Sequence, residues 1–188
     1  MINPSISIRP FSSAPHGDII AVTAIYAHHV THGKASYETT PPTLADMTGR
    51  FAALTDNAYP VLVAEQNGVV IGYAYAGPHK PRNGYRYTVE DSVYVAPDAI
   101  GCGVGTQLLT ALIDAATKCG YRQMMAVIGG PVTASVALHK SCGFREIGRA
   151  YELGYKFGEW LDTLYMQRAL QPQSKGFKEQ NPDDLKKN

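Results

Sequence analysis

Residues 92–106 run Ser92-Val93-Tyr94-Val95-Ala96-Pro97-Asp98-Ala99-Ile100-Gly101-Cys102-Gly103-Val104-Gly105-Thr106. A β-branched strand breaks at Pro97-Asp98, and three alternating glycines lead into the helical stripe Leu108, Leu109, Leu112, Ile113 and Ala116. Strand, glycine turn and helix in that order make an α/β unit. With no Cβ in the way, the turn lets a ligand come close to the backbone. At the helix N-terminus free N–H groups converge and the dipole favours an anion, with pyrophosphate the natural guest. The same glycines equally suit a bare tight connection. Two nucleotide sites are excluded by spacing. A Rossmann turn is G-x-G-x-x-G after the first strand, with an acid ending the next strand. Here the turn is G-x-G-x-G at mid-chain, and the next strand ends at Val127-Ile128. A Walker A loop needs a lysine that Gly105-Thr106-Gln107 lacks.

Upstream, Ile6 and Ile8 alternate with serines toward Pro10, which predicts a first strand. Asp18 is placed to cap a helix with Ile19, Val22, Tyr26 and Val30 on its apolar face. A loop over His32–Pro42 follows, then a second helix opened by Thr43 and Asp46 as a capping box. Asn67-Gly68 joins strands Val61–Glu65 and Val69–Tyr75 as a hairpin. A Pro/Gly/basic stretch, Gly77–Gly84, precedes a strand over Arg86–Val95. Downstream the pattern predicts strand Met124–Ile128, helix Thr133–Cys142, and strands Arg145–Glu152 and Leu161–Arg168 around the turn Lys156-Phe157-Gly158. The order β-α-α-β-β-β-α-β-α-β-β gives an α/β or α+β domain with a mixed sheet, antiparallel in its first half and parallel or splayed in its second. Residues 1–170 form one domain, and the polar tail 171–188 is expected to be disordered.

The chain has 188 residues, with 17 Lys+Arg against 16 Asp+Glu and 45% apolar residues. That balance gives no electrostatic footprint for duplex nucleic acid or an anionic membrane. No apolar run is long enough to span a bilayer, and the first residues lack the basic and apolar regions of a secretory signal. Cys102, Cys119 and Cys142 are too few for a disulfide framework and lack metal-ligand spacing. The expected setting is the cytoplasm, with no metal.

The strand and turn 92–106 resemble the pyrophosphate turn of the GNAT superfamily of acetyl-CoA-dependent N-acetyltransferases, in which V-x-V precedes Arg/Gln-x-x-Gly-x-Gly/Ala. Ile100 stands where that pattern has Arg or Gln, which removes a side-chain contact and leaves the backbone N–H groups. Further stretches are similar to the phosphinothricin acetyltransferase subfamily over about residues 6–168. They are Ala35–Glu38, Tyr85–Val95, Ala134–Phe144 and Lys156–Asp162. The resemblance implies a GNAT fold, a homodimer, acetyl-CoA as cosubstrate, and acetylation of the amino group of a small amino-acid-like acceptor. Phosphinothricin, methionine sulfoximine and methionine sulfone are the type acceptors. The hairpin Tyr151–Tyr165 is also more apolar than a free surface hairpin should be.

Acetyl transfer from a thioester needs a neutral amine, a polarised carbonyl and a proton for the departing thiolate. Glu90, flanked by Val89 and Val93, is placed for desolvation toward a general base, the role the resemblance also implies; an ordinary strand carboxylate is the alternative. His139 is either the proton donor to the thiolate or a structural core histidine. Cofactor contacts implied by the resemblance are Val93, Tyr94, Val95, Gly101, Cys102, Gly103, Val104, Gly105 and Thr106, with Val132, Ser135 and Lys140 on the following helix. Val132 stands where the subfamily has Asn. The acceptor pocket is assigned to Tyr37, Lys80, Pro81, Arg82, Arg86, Glu90, Asp91 and Ser92, where arginines can grip an acceptor's acid group in bidentate fashion. A protein or peptide N-acetyltransferase and a non-catalytic acetyl-CoA-binding regulator remain the alternatives.

Overall fold

The computed structural model describes residues 5–14, 17–130 and 132–172. Its elements are β1 (Ser7–Pro10), α1 (Ile19–His32), α2 (Leu44–Asp56), β2 (Val61–Gln66), β3 (Val69–Pro78), β4 (Thr88–Val95), α3 (Val104–Lys118), β5 (Gln123–Gly129), α4 (Thr133–Ser141), β6 (Arg145–Lys156) and β7 (Glu159–Ala169). The strands form one sheet in the order β1-β2-β3-β4-β5-β7-β6. Every neighbouring pair is antiparallel except β4 and β5. This is the mixed, mostly antiparallel sheet flanked by helices that the element order implies. The tail is outside the described residues from position 173 onward.

Local chemistry explains most of the element ends. Asn67 and Gly68 adopt φ of +53° and +76°, as a two-residue type I′ hairpin turn requires. Thr43 and Asp46 form the reciprocal capping box at the start of α2. Gly120, at φ +87°, follows the last residues of α3.

Two expectations are corrected. Asp18 makes no capping bond to α1. Its carboxylate instead accepts from both guanidinium ends of Arg9, at 2.7 and 2.8 Å, and from the Ser12 N–H at 2.7 Å. A charged bidentate partner outbids an ordinary cap bond. The strand expected from Arg86 begins only at Thr88, because Asn83–Tyr85 winds into a 3₁₀ turn that the Arg86 N–H closes on the Asn83 carbonyl.

The sheet carries a core on each face. Helix α3 buries Leu108, Leu109 and Leu112 with Val89, Met124 and Met166 on one side. On the other, α1 and α2 pack Val22, Val30, Met47 and Phe51 on Val61, Val63 and Tyr73. Each such fully buried side chain contributes about 1.5–3 kcal/mol. Strand β4 lies between the two cores, so its residues alternate between them. Among the described residues no helix is long and apolar enough to cross a membrane.

Candidate active site

Strands β4 and β5 pair over only three rungs, Thr88↔Gln123, Val89↔Met124 and Glu90↔Met125. Beyond Glu90 they separate, and backbone groups that a sheet would satisfy are left facing a cleft. Asp91 to Tyr94, Ala126 to Ile128, Ala35, Ser135 and His139 line it, with a volume of about 70 Å³. Glu90 stands at the closed end of this V, on the last paired rung.

Burial pushes the pKa of Glu90 above the usual carboxylate range, and His79 pulls it back down. The His79 Nδ1 lies 3.3 Å from Glu90 Oε2. Tyr75, across the β3–β4 ladder, hydrogen-bonds Ser92 on the same face. Glu90 is therefore a half-buried carboxylate with a tuned basicity where the two strands part.

Asp91 points to the opposite face, into contact with α4. His139 Nε2 is 2.9 Å from Asp91 Oδ2, and its Nδ1 is 2.7 Å from the Ser135 carbonyl. Burial lowers the pKa of His139, but the bonds to Asp91 and Ser135 outweigh it and leave it raised. Both ring nitrogens have acceptors within reach, a setting that favours the protonated ring. That geometry carries the structural reading of His139, clamping α4 to β4 across the cleft.

At the glycine turn, Gly101 and Gly103 take φ of +82° and +79°, and a Cβ on either would meet nothing within 4 Å. Gly103 is the N-cap of α3 and no side chain caps the helix. The N–H groups of Val104, Gly105 and Thr106 thus belong to the open first turn. Gly105 is different: its Cβ would touch Leu138 at 3.3 Å, a packing contact with α4. Ile100 and Cys102 are exposed beside the turn. Val132 precedes α4 without capping it, and Lys140 pairs with Glu146 at 2.8 Å. Tyr94 turns its side chain into the aromatic core beside Tyr26 and Tyr73, so it and Val93 and Val95 offer the cleft chiefly their backbone.

Of the acceptor-side residues, Lys80, Pro81 and Arg82 wall a pocket of about 340 Å³ with Tyr85. Arg86 stacks 4.5 Å from the Tyr87 ring centre. Among the described residues none of these three cations is ion-paired with a carboxylate. Tyr37 is fixed rather than free. Its ring lies where a Cβ on Gly154 would be, 2.6 Å away, and its hydroxyl donates to the Asp162 carbonyl at 2.7 Å.

Three contributors were not read from the sequence. His79 faces Glu90. His29 sits 2.8 Å from the Val95 carbonyl, and burial lowers its pKa, so the neutral ring donates its Nε2–H there. Lys156, buried, donates to the carbonyls of Gly33 and Ser36 at 2.9 and 2.7 Å and latches the 33–38 loop to the β6–β7 hairpin.

Residues 22–144 match the acetyltransferase (GNAT) family. The chain belongs to that family. It is 51% identical over 154 residues to a phosphinothricin N-acetyltransferase of Alcaligenes faecalis, covering 81% of this chain and 78% of the relative. It is 43% identical over 157 residues to an L-methionine sulfoximine/L-methionine sulfone acetyltransferase of Salmonella typhimurium, covering 84% and 92%. A GNAT phosphinothricin acetyltransferase of Sinorhizobium meliloti, solved in complex with AcCoA, superposes with a TM-score of 0.85 at 44% identity, covering 91% of this chain and 94% of that one. The sheet that parts at Glu90 and the open glycine turn are thus features of a GNAT chain.

Proposed function

We propose that the protein is an acetyl-CoA-dependent N-acetyltransferase acting on the amino group of a small amino-acid-like acceptor of the phosphinothricin, methionine sulfoximine or methionine sulfone type. The carrying observation is that one strand joins three features: β4 parts from β5, carries the half-buried Glu90 on its last paired rung, and leads into an open left-handed glycine turn. The likeness to enzymes with those acceptors supports the substrate class. The residues present fit the cosubstrate. The Gly101–Thr106 backbone would hold its pyrophosphate and the separated edges of β4 and β5 its pantetheine amides. When bound, acetyl-CoA supplies a thioester carbonyl open to attack by an amine.

Glu90 takes a proton from the incoming ammonium and leaves a free amine lone pair. Lys80, Arg82 and Arg86 supply cations for the acceptor's acid group. Ser135, Lys140 and Val132 flank the cosubstrate's path along α4, and Asp91 with Ser92 fixes the floor of the cleft. The deciding assay measures thiol release from acetyl-CoA over a panel of amino acids, their sulfones and sulfoximines, polyamines and peptides. Turnover confined to peptides would overturn the substrate class, and none at all would leave a binding protein.

Acetyl-CoA binding has its own readout. At about 100 times its Kd a ligand stabilises the native state by about 2.7 kcal/mol, roughly 5–10 °C in melting temperature here. Gly103→Ala places a methyl in the open space at the turn, and that increment is expected to vanish. The positive φ itself costs about 1–2 kcal/mol, so the ligand-induced increment, not the baseline, is compared. An unchanged increment makes the turn a mere connector.

The protein is further proposed to be a cytoplasmic homodimer. Tyr151, Leu153, Tyr155, Phe157 and Trp160 stand exposed on β6, its turn and β7, with Tyr151 75% and Trp160 63% accessible. Such an apolar stripe needs cover. Sedimentation is expected to give a dimer at micromolar concentration that Tyr151→Asp/Trp160→Asp converts to monomer; a fully active wild-type monomer would refute it.

A further inference from the structure

We propose that His79 is a positioning residue for acetyl transfer, donating from its ring to Glu90 and so holding it as the carboxylate that takes the acceptor's proton. This deepens the reading of Glu90 as the base and rests on it. The register Gly77↔Glu90 and Pro78↔Val89 brings the residue after β3 to the start of β4, which is how His79 reaches a carboxylate eleven positions away. Among the described residues His79 is the hydrogen-bond partner of that carboxylate. The imidazole is set edge-on to Tyr85, with ring centres 5.9 Å apart, and Tyr85 in turn carries the Lys80 ammonium 5.4 Å from its ring centre. The other titratable groups that act on the pair are Tyr75 on β3 and, from the opposite face of β4, Asp91. Arg50 on α2 and Glu38 act on Tyr75.

The proton count requires an exit. An acceptor ammonium and acetyl-CoA give amide, thiol and one released proton. Of the two protons the nitrogen loses, one ends on the departing sulfur and the other leaves the site. Once the acceptor sits on the open side of Glu90, Oε2 still faces His79. The carboxylic acid formed by the first transfer releases its proton to water, and the His79 N–H, donating to Oε2, favours the regenerated carboxylate. The ring keeps 14% of its side chain exposed.

The sign of the pH effect follows. Burial raises the pKa of Glu90 and His79 lowers it, so loss of His79 leaves Glu90 protonated to higher pH. In His79→Phe, which retains a ring against Tyr85, kcat/KM at pH 7 is expected to fall about tenfold. In His79→Asn, which keeps a neutral donor but not the imidazole, the fall is about threefold. In both, the acid limb of the pH profile moves upward and activity recovers toward pH ~9, where the acceptor arrives as free amine. Acetyl-CoA affinity by calorimetry stays unchanged. If both variants keep the wild-type limb while Glu90→Gln collapses turnover, His79 only packs against Tyr85. If Glu90→Gln itself turns over normally, the base reading falls and this proposal with it.

Discussion

Glu90→Gln is expected to lower kcat/KM by about 10²–10⁴ near pH 7, the range for removal of a general base. The amide keeps the shape of the side chain and part of its bond to His79, so the fold and the V between β4 and β5 persist. What it loses is the site that receives the acceptor's proton. An acceptor amine is almost wholly protonated at pH 7, and raising the pH delivers more of it as free base. Activity of the variant is therefore expected to climb with pH where the wild type levels off. Acetyl-CoA affinity is expected barely to move, because in the proposed site the Gly101–Thr106 backbone, not Glu90, would hold its pyrophosphate. Stopped-flow thiol release with the best panel acceptor, across about pH 6–9.5, reads all of this. A near wild-type rate at pH 7 makes Glu90 a structural carboxylate.

The parts of the site legible in the sequence are those set by neighbours in the chain. Asn67-Gly68, Thr43 with Asp46, and Gly101-x-Gly103 each declare a backbone geometry within four residues, and each adopts it. Glu90 was legible as desolvated because β-branched neighbours flank it. Its partner was not, since His79 meets it only through the β3–β4 register, and register depends on the whole sheet. The same holds for Lys156, which reaches the Gly33 and Ser36 carbonyls across more than a hundred residues. Asp18 shows the reverse error. A plausible local cap loses to Arg9, which the β1–β2 pairing also holds against Glu65 at 2.7 Å. Local signals settle the elements; contacts between distant residues settle which side chains are free to act.

Asp91→Ala is expected to cost about 3–5 kcal/mol, the penalty for stranding one member of a buried ion pair. Asp91 and His139 side chains are 2% and 6% exposed, so water cannot replace the missing partner. For a chain of this size that is roughly 10 °C in melting temperature. Asp91→Asn costs less, because the amide keeps the volume and His139 escapes the unpaired charge by losing its proton. The two variants also separate in pH dependence. The folded-state pKa of His139 is raised above its ordinary value, so the pair's stabilisation is fully present below about pH 6.5 and fades as pH rises through the raised value. Wild-type stability is therefore expected to decline across that window, and Asp91→Asn to be flatter there. Urea unfolding at about pH 6 and pH 9 checks both signs. Equal stability of Asp91→Ala and wild type at pH 6 would mean that His139 is neutral. One ring nitrogen would then lack a proton, and His139 would regain a place in the chemistry. A ring bonded at both nitrogens, to Asp91 and to the Ser135 carbonyl, would instead keep β4 and α4 together around the cleft.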